Sequence, residues 1–262
     1  MSNCSPQHKK ECKKRAVEIF DEKLFANPPP REECPLCFQP LPFGNQQTFE
    51  SCCGKIICTG CSYAIKMKEG KLVCVFCRTP PSNSSKEQIK RLKKLMDKGN
   101  AEAFSTLAGC YADGELDLAQ DHRKANELYL KAGELGFAGA YHNLGIVYRR
   151  GEGVEIDDKK AKHYYELAAM GGCVEARNGL GCLEGKAGNS HRAMKHFIMA
   201  ARAGYKESLD KVKAGYMSGL GLVTKDEYVN CLRAYHEQQK EMKSEMREKA
   251  AEYWSPGIWM GF

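Results

Sequence analysis

A pattern that returns every 36 or 37 residues constrains the fold of this chain more than any other feature. The segment Ala103–Tyr111 is echoed by Ala140–Tyr148, and a third copy begins at Ala176. Apolar residues at helical spacing fill each copy, and each continues into a second helical segment that ends at a glycine. Because one helix pair cannot bury its apolar face alone, we expect the pairs to stack into an α-solenoid.

Composition narrows the class of protein. The chain has 262 residues, a net charge of +7 and no apolar run near the roughly 20 residues of a membrane span. Its first residues, MSNCSPQHKKECKKR, are polar and basic, so we expect a cytoplasmic or nuclear protein rather than a disulfide-bonded one. The basic stretch KEQIKRLKKLMDKG alternates charge with a regular apolar stripe and lacks aromatics. It predicts a solvated helix rather than a nucleic-acid site.

Cysteines are concentrated between Cys34 and Cys77, where eight of the 14 lie. Six of the eight form three C-x-x-C pairs, and the other two are adjacent at positions 52 and 53. Two cysteines separated by two residues can reach one tetrahedral zinc ion, so the spacing predicts zinc binding. The 44-residue span holds few large apolar side chains. A module of this size needs metal to fold.

The order of the pairs resembles a RING-type zinc finger, with CPLC at its start and CVFCRTP at its end. In that family the first and third pairs share one ion, and the second and fourth share another. The resemblance therefore implies a cross-braced finger with two Zn²⁺ ions. The implied ligands are Cys34, Cys37, Cys58 and Cys61 for the first ion, and Cys52, Cys53, Cys74 and Cys77 for the second.

The second pair departs from the usual family pattern. Most RING fingers have C-x-H here, whereas this chain has Cys52-Cys53-Gly54-Lys55. In one interpretation both cysteines are ligands, as in an all-cysteine variant of the finger. In the other, Lys55 replaces the histidine and Cys52 is only a small buried residue. A protonated lysine offers no lone pair, so the second site would then be incomplete. We favour the first interpretation.

RING fingers bind a ubiquitin-conjugating enzyme and supply no nucleophile, so we expect no catalytic residue. The resemblance assigns the contact to four apolar side chains and to the cation after the last ligand. Two departures are visible, because Val75 stands at the usual proline and Ile65 at the usual tryptophan. Both remain apolar. The implied contact residues are Leu36, Ile65, Val75, Phe76 and Arg78.

The repeats resemble Sel1-like repeats, relatives of the tetratricopeptide repeat, most closely in LGIVYRRGEGVEIDDKKAKHYYELAAMGG. The segments LFANPPPREECPLC and GLVTKDEYVNCLRAY extend the likeness to RING-plus-Sel1-repeat proteins abundant in diatoms and related algae. This architecture implies a RING-type E3 ubiquitin-protein ligase whose repeats recruit a substrate or partner. The alternative is a non-catalytic scaffold or adaptor with a structural zinc finger.

We therefore predict a mostly α fold, in which a small cross-braced two-zinc RING-like finger precedes an α-solenoid of Sel1-like helix pairs. Capping boxes are predicted at Ser85 with Gln88 and at Thr224 with Glu227. The last helix is predicted to run unbroken to about Tyr253. The predicted units are an N-terminal helix and proline spacer (1–33), the finger (34–80), a linker and capping helix (81–99), the repeats (100–204), a degenerate repeat with a charged capping helix (205–253) and a tail (254–262).

Overall fold

The computed structural model describes residues 6–69 and 73–253, so the predicted tail, with both tryptophans, lies outside the described residues. Within them the chain is mostly helical and contains one antiparallel sheet, in which Gln47–Glu50 (β1) pairs with Lys55–Cys58 (β2). The helices are Pro6–Leu24 (α1), Thr59–Glu69 (α2), Ser85–Met96 (α3), Ala101–Asp113 (α4), His122–Glu134 (α5), Ala138–Arg150 (α6), Asp158–Met170 (α7), Val174–Lys186 (α8), Ser190–Arg202 (α9), Lys206–Met217 (α10), Lys225–Met242 (α11) and Glu245–Tyr253 (α12).

The predicted solenoid is confirmed, with α4/α5, α6/α7 and α8/α9 as its stacked pairs. Small residues let the two helices of a pair approach closely. A Cβ placed on Gly145 would lie 2.4 Å from the ring of Tyr165, which is 1% exposed. Gly181 has the same relation to Phe197, also at 2.4 Å. An aromatic ring of the second helix therefore fills the space above a glycine of the first.

The ends of the solenoid are capped by further helices. α3 packs on α4 through the buried Leu92 and Leu95, and α10 and α11 pack on α9. The capping box at Thr224 is confirmed. The one predicted at Ser85 is wrong by one residue, because Ser84 is the cap and its hydroxyl accepts a hydrogen bond from Glu87 N at 3.2 Å.

The prediction of one unbroken C-terminal helix is also wrong. Lys243 is extended, with φ −78° and ψ 135°, and it ends α11. Ser244 then caps α12, since its hydroxyl accepts a hydrogen bond from Arg247 N at 3.3 Å. The break lets α12 turn back and pack along α2 of the cysteine-rich finger.

The finger is packed against the solenoid rather than suspended from it. Phe49 of β1 packs on the apolar cluster of α3 and α4. At the other end of the solenoid, Arg31 donates to the carbonyl of Ala203 at 2.9 Å and to the side chain of Gln238. The linker after the finger is held as well, because Arg91 donates to the Pro80 carbonyl at 2.9 Å.

The N-terminal helix docks on the repeats by its last turn. Leu24 is fully buried among residues of α7 and α8, and Arg177 donates to its carbonyl at 2.7 Å. Asp21 accepts two hydrogen bonds from Arg192, both at 2.7 Å. Arg192 also contacts the buried Glu184 at 3.0 Å. Within the described residues, the helices are either too short or too polar to cross a membrane.

Candidate metal centre

The first cysteine pair lies in a tight turn. Phe38 N donates to the Cys34 carbonyl at 2.8 Å, and Cys34 N donates to the Gln39 carbonyl at 2.9 Å. Phe38 adopts a left-handed conformation with φ 56°, which closes the turn immediately after Cys37. The turn therefore presents the two thiols of the pair together.

The last pair repeats the same turn. Arg78 N donates to the Cys74 carbonyl at 2.8 Å, and Cys74 N donates to the Thr79 carbonyl at 3.0 Å. Arg78 also has φ 56°. The Thr79 hydroxyl lies 3.1 Å from the sulfur of Cys77. The two C-x-x-C loops thus adopt one geometry, although the residues between and after their cysteines differ.

The adjacent cysteines lie in the loop between β1 and β2. Cys53 N and Gly54 N both donate to the Glu50 carbonyl, at 3.1 and 2.7 Å. The left-handed residue of this loop is Gly54, with φ 75°, and neither Cys52 nor Cys53 has positive φ. Glycine accepts that conformation at little steric cost, so both cysteines keep ordinary backbone angles. Lys55 follows them with its side chain exposed.

The fold brings the eight cysteines into two groups of four. In each group the sulfur atoms all lie within 4.8 Å of one another. The first and third pairs of the sequence form one group, and the second and fourth pairs form the other. The first cluster consists of Cys34, Cys37, Cys58 and Cys61, and the second cluster consists of Cys52, Cys53, Cys74 and Cys77.

Sulfur–sulfur distances fit a tetrahedral metal site. Four thiolates at about 2.3 Å from one zinc ion are about 3.8 Å apart. In the first cluster the Cys37 and Cys58 sulfurs are 3.9 Å apart. In the second cluster the Cys52 and Cys77 sulfurs are 3.4 Å apart, and the sulfurs of the other two cysteines of this cluster are 3.7 Å apart. Each cluster could therefore hold a metal ion, and four sulfur donors suit zinc.

Hydrogen bonds prepare some of the thiols for ionisation, which metal binding requires. Burial opposes ionisation of Cys34, yet N–H groups of Cys58 and of its own loop donate to the sulfur and lower its pKa to about 7. The Thr79 side chain lowers the pKa of Cys77 to about 6. By contrast, burial raises the pKa of Cys53 to about 11. Each cluster thus contains one thiol that ionises readily.

The side chains predicted to contact a conjugating enzyme lie mainly at the surface of the finger. Leu36, Val75 and Phe76 are each about one-third exposed, and Arg78 is exposed. Ile65 packs partly against the finger core and lines a cleft together with Val75. The structure therefore brings Ile65 and Val75 to one cleft, and it leaves apolar surface on both cysteine turns.

Two residues near the clusters were not predicted. Phe38 follows Cys37 and is 75% exposed, and no motif in the sequence marks it. Arg247 of α12 lies 3.8 Å from the sulfur of Cys37, although 210 residues separate the two. No local pattern connects them.

Comparison with known proteins identifies the repeats. The Sel1 repeat family matches residues 107–137, 138–173 and 174–205. A Sel1 repeat protein from Oxalobacter formigenes is 26% identical, with a TM-score of 0.51, over 59% of this chain and 64% of that chain. The protein c5321, described as a protective antigen of uropathogenic Escherichia coli with an SLR fold, is also 26% identical, with a TM-score of 0.51, over 64% of this chain and 36% of that one.

This chain spans less than two thirds of either of those proteins. No zinc-finger family matches the cysteine-rich segment. The matched repeats coincide with the stacked pairs α4/α5, α6/α7 and α8/α9, and in the last two pairs a glycine of the first helix lies under an aromatic ring of the second. Residues 107–205 are therefore Sel1 repeats, which form a solenoid of the kind whose extended surfaces bind other proteins.

Proposed function

We propose that this protein is a zinc-binding RING-type ubiquitin ligase. In this proposal the finger at 34–80 recruits a ubiquitin-conjugating enzyme, and the helical repeats at 100–204 recruit the substrate or a partner protein. The observation that carries the proposal is the interleaving of the cysteine pairs into two clusters of four. A finger built in this way would be held together by two metal ions.

Zinc is the metal that the donor set supports. All eight donors are sulfur, and their separations suit tetrahedral coordination. The finger's own buried core is small, with Leu41 and Ile57 as its large aliphatic side chains among the described residues. Structural zinc contributes on the order of 10–16 kcal/mol to small domains, which offsets such a core. With four protein ligands and no open position, each ion would supply structure rather than a reactive water.

The surface that would receive the conjugating enzyme is not covered by the C-terminal helix. α12 packs on the side of α2 that carries Tyr63, whose ring lies 5.3 Å from that of Tyr253. Ile65 lies on another side of α2, where it lines a cleft together with Val75. An apolar loop of a conjugating enzyme could therefore contact the finger there while α12 stays in place.

Catalysis would come from positioning alone. A RING finger orients the ubiquitin thioester of the bound enzyme for attack, and no covalent intermediate forms on the finger. Arg78 supports such a role because its left-handed turn leaves the guanidinium exposed directly after the last cysteine. A cation at this point can bond to ubiquitin and to the conjugating enzyme together.

Autoubiquitination with a panel of conjugating enzymes tests the proposal. Wild-type chain should form ubiquitin conjugates with at least one enzyme, and Leu36→Ala and Arg78→Ala should lose most of this activity while keeping their zinc. Leu130→Ala is the matched control, since Leu130 on α5 is 39% exposed and Leu36 is 36% exposed. The control should remain as active as wild type.

A non-catalytic adaptor is the alternative. Phe49 of the finger and Arg31 of the preceding spacer fix the finger along the repeats, as expected of a structural module. Val75 and Ile65 also depart from the usual RING residues. A chain that retains its zinc but forms no conjugates with any enzyme in the panel would establish this alternative and overturn the ligase proposal.

A further inference from the structure

The C-terminal helix contributes a buried cation to the first cluster. Arg247 is only 8% exposed, and its Nη2 lies 3.8 Å from the Cys37 sulfur. The same nitrogen donates to the Pro40 carbonyl at 3.0 Å, so the guanidinium is fixed against the loop that follows the first cysteine pair. Its Nη1 donates to the Met242 carbonyl at 2.9 Å. Arg247 thus joins α11, α12 and the finger.

This buried charge needs a counter-charge. Within the described part of the chain, Arg247 forms no ion pair with a carboxylate. An unpaired buried cation is costly, and hydrogen bonds to backbone carbonyls supply only partial charge. Four thiolates around a divalent ion carry a net charge of −2, which would pair with a guanidinium in hydrogen-bond contact. The metal-loaded first cluster is therefore the natural counter-ion of Arg247.

Helix packing leaves little freedom at this contact. A Cβ on Gly60 would lie 2.8 Å from both Cγ and the backbone nitrogen of Arg247, so α12 rests directly on the α2 backbone. Gly60 immediately precedes Cys61, which belongs to the first cluster. A displacement of α12 would therefore move Arg247 away from the cluster.

We propose that Arg247 is a positioning residue of the first zinc site, and that it couples zinc occupancy of the first cluster to docking of α12 on the finger. The proposal rests on the zinc binding proposed above. Because linkage is reciprocal, the factor by which a docked α12 tightens zinc binding equals the factor by which zinc tightens docking. Within residues 6–69 and 73–253, the Arg247 guanidinium forms no hydrogen bond with the second cluster, which therefore serves as an internal reference.

Zinc affinity of the full-length chain tests whether Arg247 tightens zinc binding at the first cluster. Zinc is removed with a competing chelator, and a Cys34→Ser variant identifies the ion that belongs to the second cluster. Arg247→Met should weaken zinc at the first cluster about 10–100-fold, the usual effect of losing an outer-shell partner, and leave the second cluster unchanged. Arg233→Met, which removes an exposed arginine from α11, is the matched control and should resemble wild type. An unchanged first site in Arg247→Met would overturn the proposal.

Hydrogen exchange of residues 245–253 tests whether zinc stabilises the docking of α12 on the finger. Zinc removal should expose these amides in wild type, and Gly60→Ala, which leaves every cysteine in place, should expose them in the presence of zinc and weaken the first site. Equal protection with and without zinc would overturn the coupling. A wild-type chain that binds no zinc would instead refute the proposed zinc function, so the two failures are distinguishable.

Discussion

Gly54 connects the second cluster to the repeats, and its replacement gives a sharp prediction. The residue ends the loop that holds Cys52 and Cys53, with φ 75°. A Cβ at this position would lie 2.8 Å from Nδ2 of Asn100 and 3.4 Å from Leu95. Gly54→Ala should therefore strain the loop and push on the first solenoid helix together.

The size of the effect follows from two contributions. An alanine in the left-handed region costs about 1–2 kcal/mol. Asn100 is not free to move away, since its Oδ1 caps α4 by accepting from Ala103 N at 2.8 Å. Losing that cap costs a further 0.5–2 kcal/mol or so. We expect Gly54→Ala to lower the free energy of unfolding by about 1.5–4 kcal/mol.

Gly99→Ala is the matched control for the cost of placing alanine in the left-handed region. Gly99 has the same φ of 75°, but a Cβ there would meet no heavy atom within 4 Å. Urea unfolding in excess zinc should show a larger loss for Gly54→Ala, and chelator titration should show weaker zinc binding at the second cluster alone. Equal losses for the two variants would refute the docking of this loop on Asn100.

Two further predictions concern the repeats and their junction with the finger. In urea unfolding, Gly145→Ala should be less stable than Gly109→Ala by about 1–3 kcal/mol. The new methyl group would lie 2.4 Å from the Tyr165 ring in the first variant, but 3.7 Å from its nearest neighbour in the second. Equal stability of the two variants would contradict the packing of Tyr165 on Gly145. Burial, assisted by Glu32, raises the pKa of Glu102 to about 7 from 4.5. Between these two pKa values, Glu102 is more protonated in the folded chain than in the unfolded chain. Its contribution to stability therefore falls as pH rises through this window. Glu102→Gln should stabilise the chain at about pH 8 but have little effect at about pH 4, and an equal effect at both would refute the assignment.

The solenoid could be predicted because its determinants are local and repeated. Small residues such as Gly145 and Gly181 recur at the same position of the first helix, and each lies under an aromatic side chain of the second, Tyr165 or Phe197. The capping box at Thr224 is equally local. The cap at 84–85 was misplaced because two adjacent serines each have an acidic or amide side chain three residues later. The structure selects Ser84, whose partner Glu87 also accepts from Asn83 N.

The C-terminal break and its consequences could not be predicted in the same way. The stretch around Lys243 contains neither proline nor glycine, and the chain turns there because α12 packs on α2, far away in sequence. Arg247 consequently looked like one more charge on an exposed helix. Only the fold shows that its guanidinium lies beside Cys37.

The candidate metal site could likewise be predicted only in part from local sequence patterns. Spacing alone predicts that each C-x-x-C pair can share an ion, and the turns at Cys34 and Cys74 show why. The interleaving of pairs came from resemblance to a family. The role of Cys52 depended on whether two adjacent residues can point to one centre, and the left-handed Gly54 supplies the geometry that makes this feasible.

Zinc content of the purified chain and of single cysteine variants tests the central claim most directly. Elemental analysis should find two zinc ions per wild-type chain, falling towards one in Cys52→Ser and equally in Cys53→Ser. Cys182→Ser, which removes an exposed cysteine of α8, should keep both ions. If Cys52→Ser also keeps two tightly bound ions, Cys52 is not a ligand and the all-cysteine second site is contradicted.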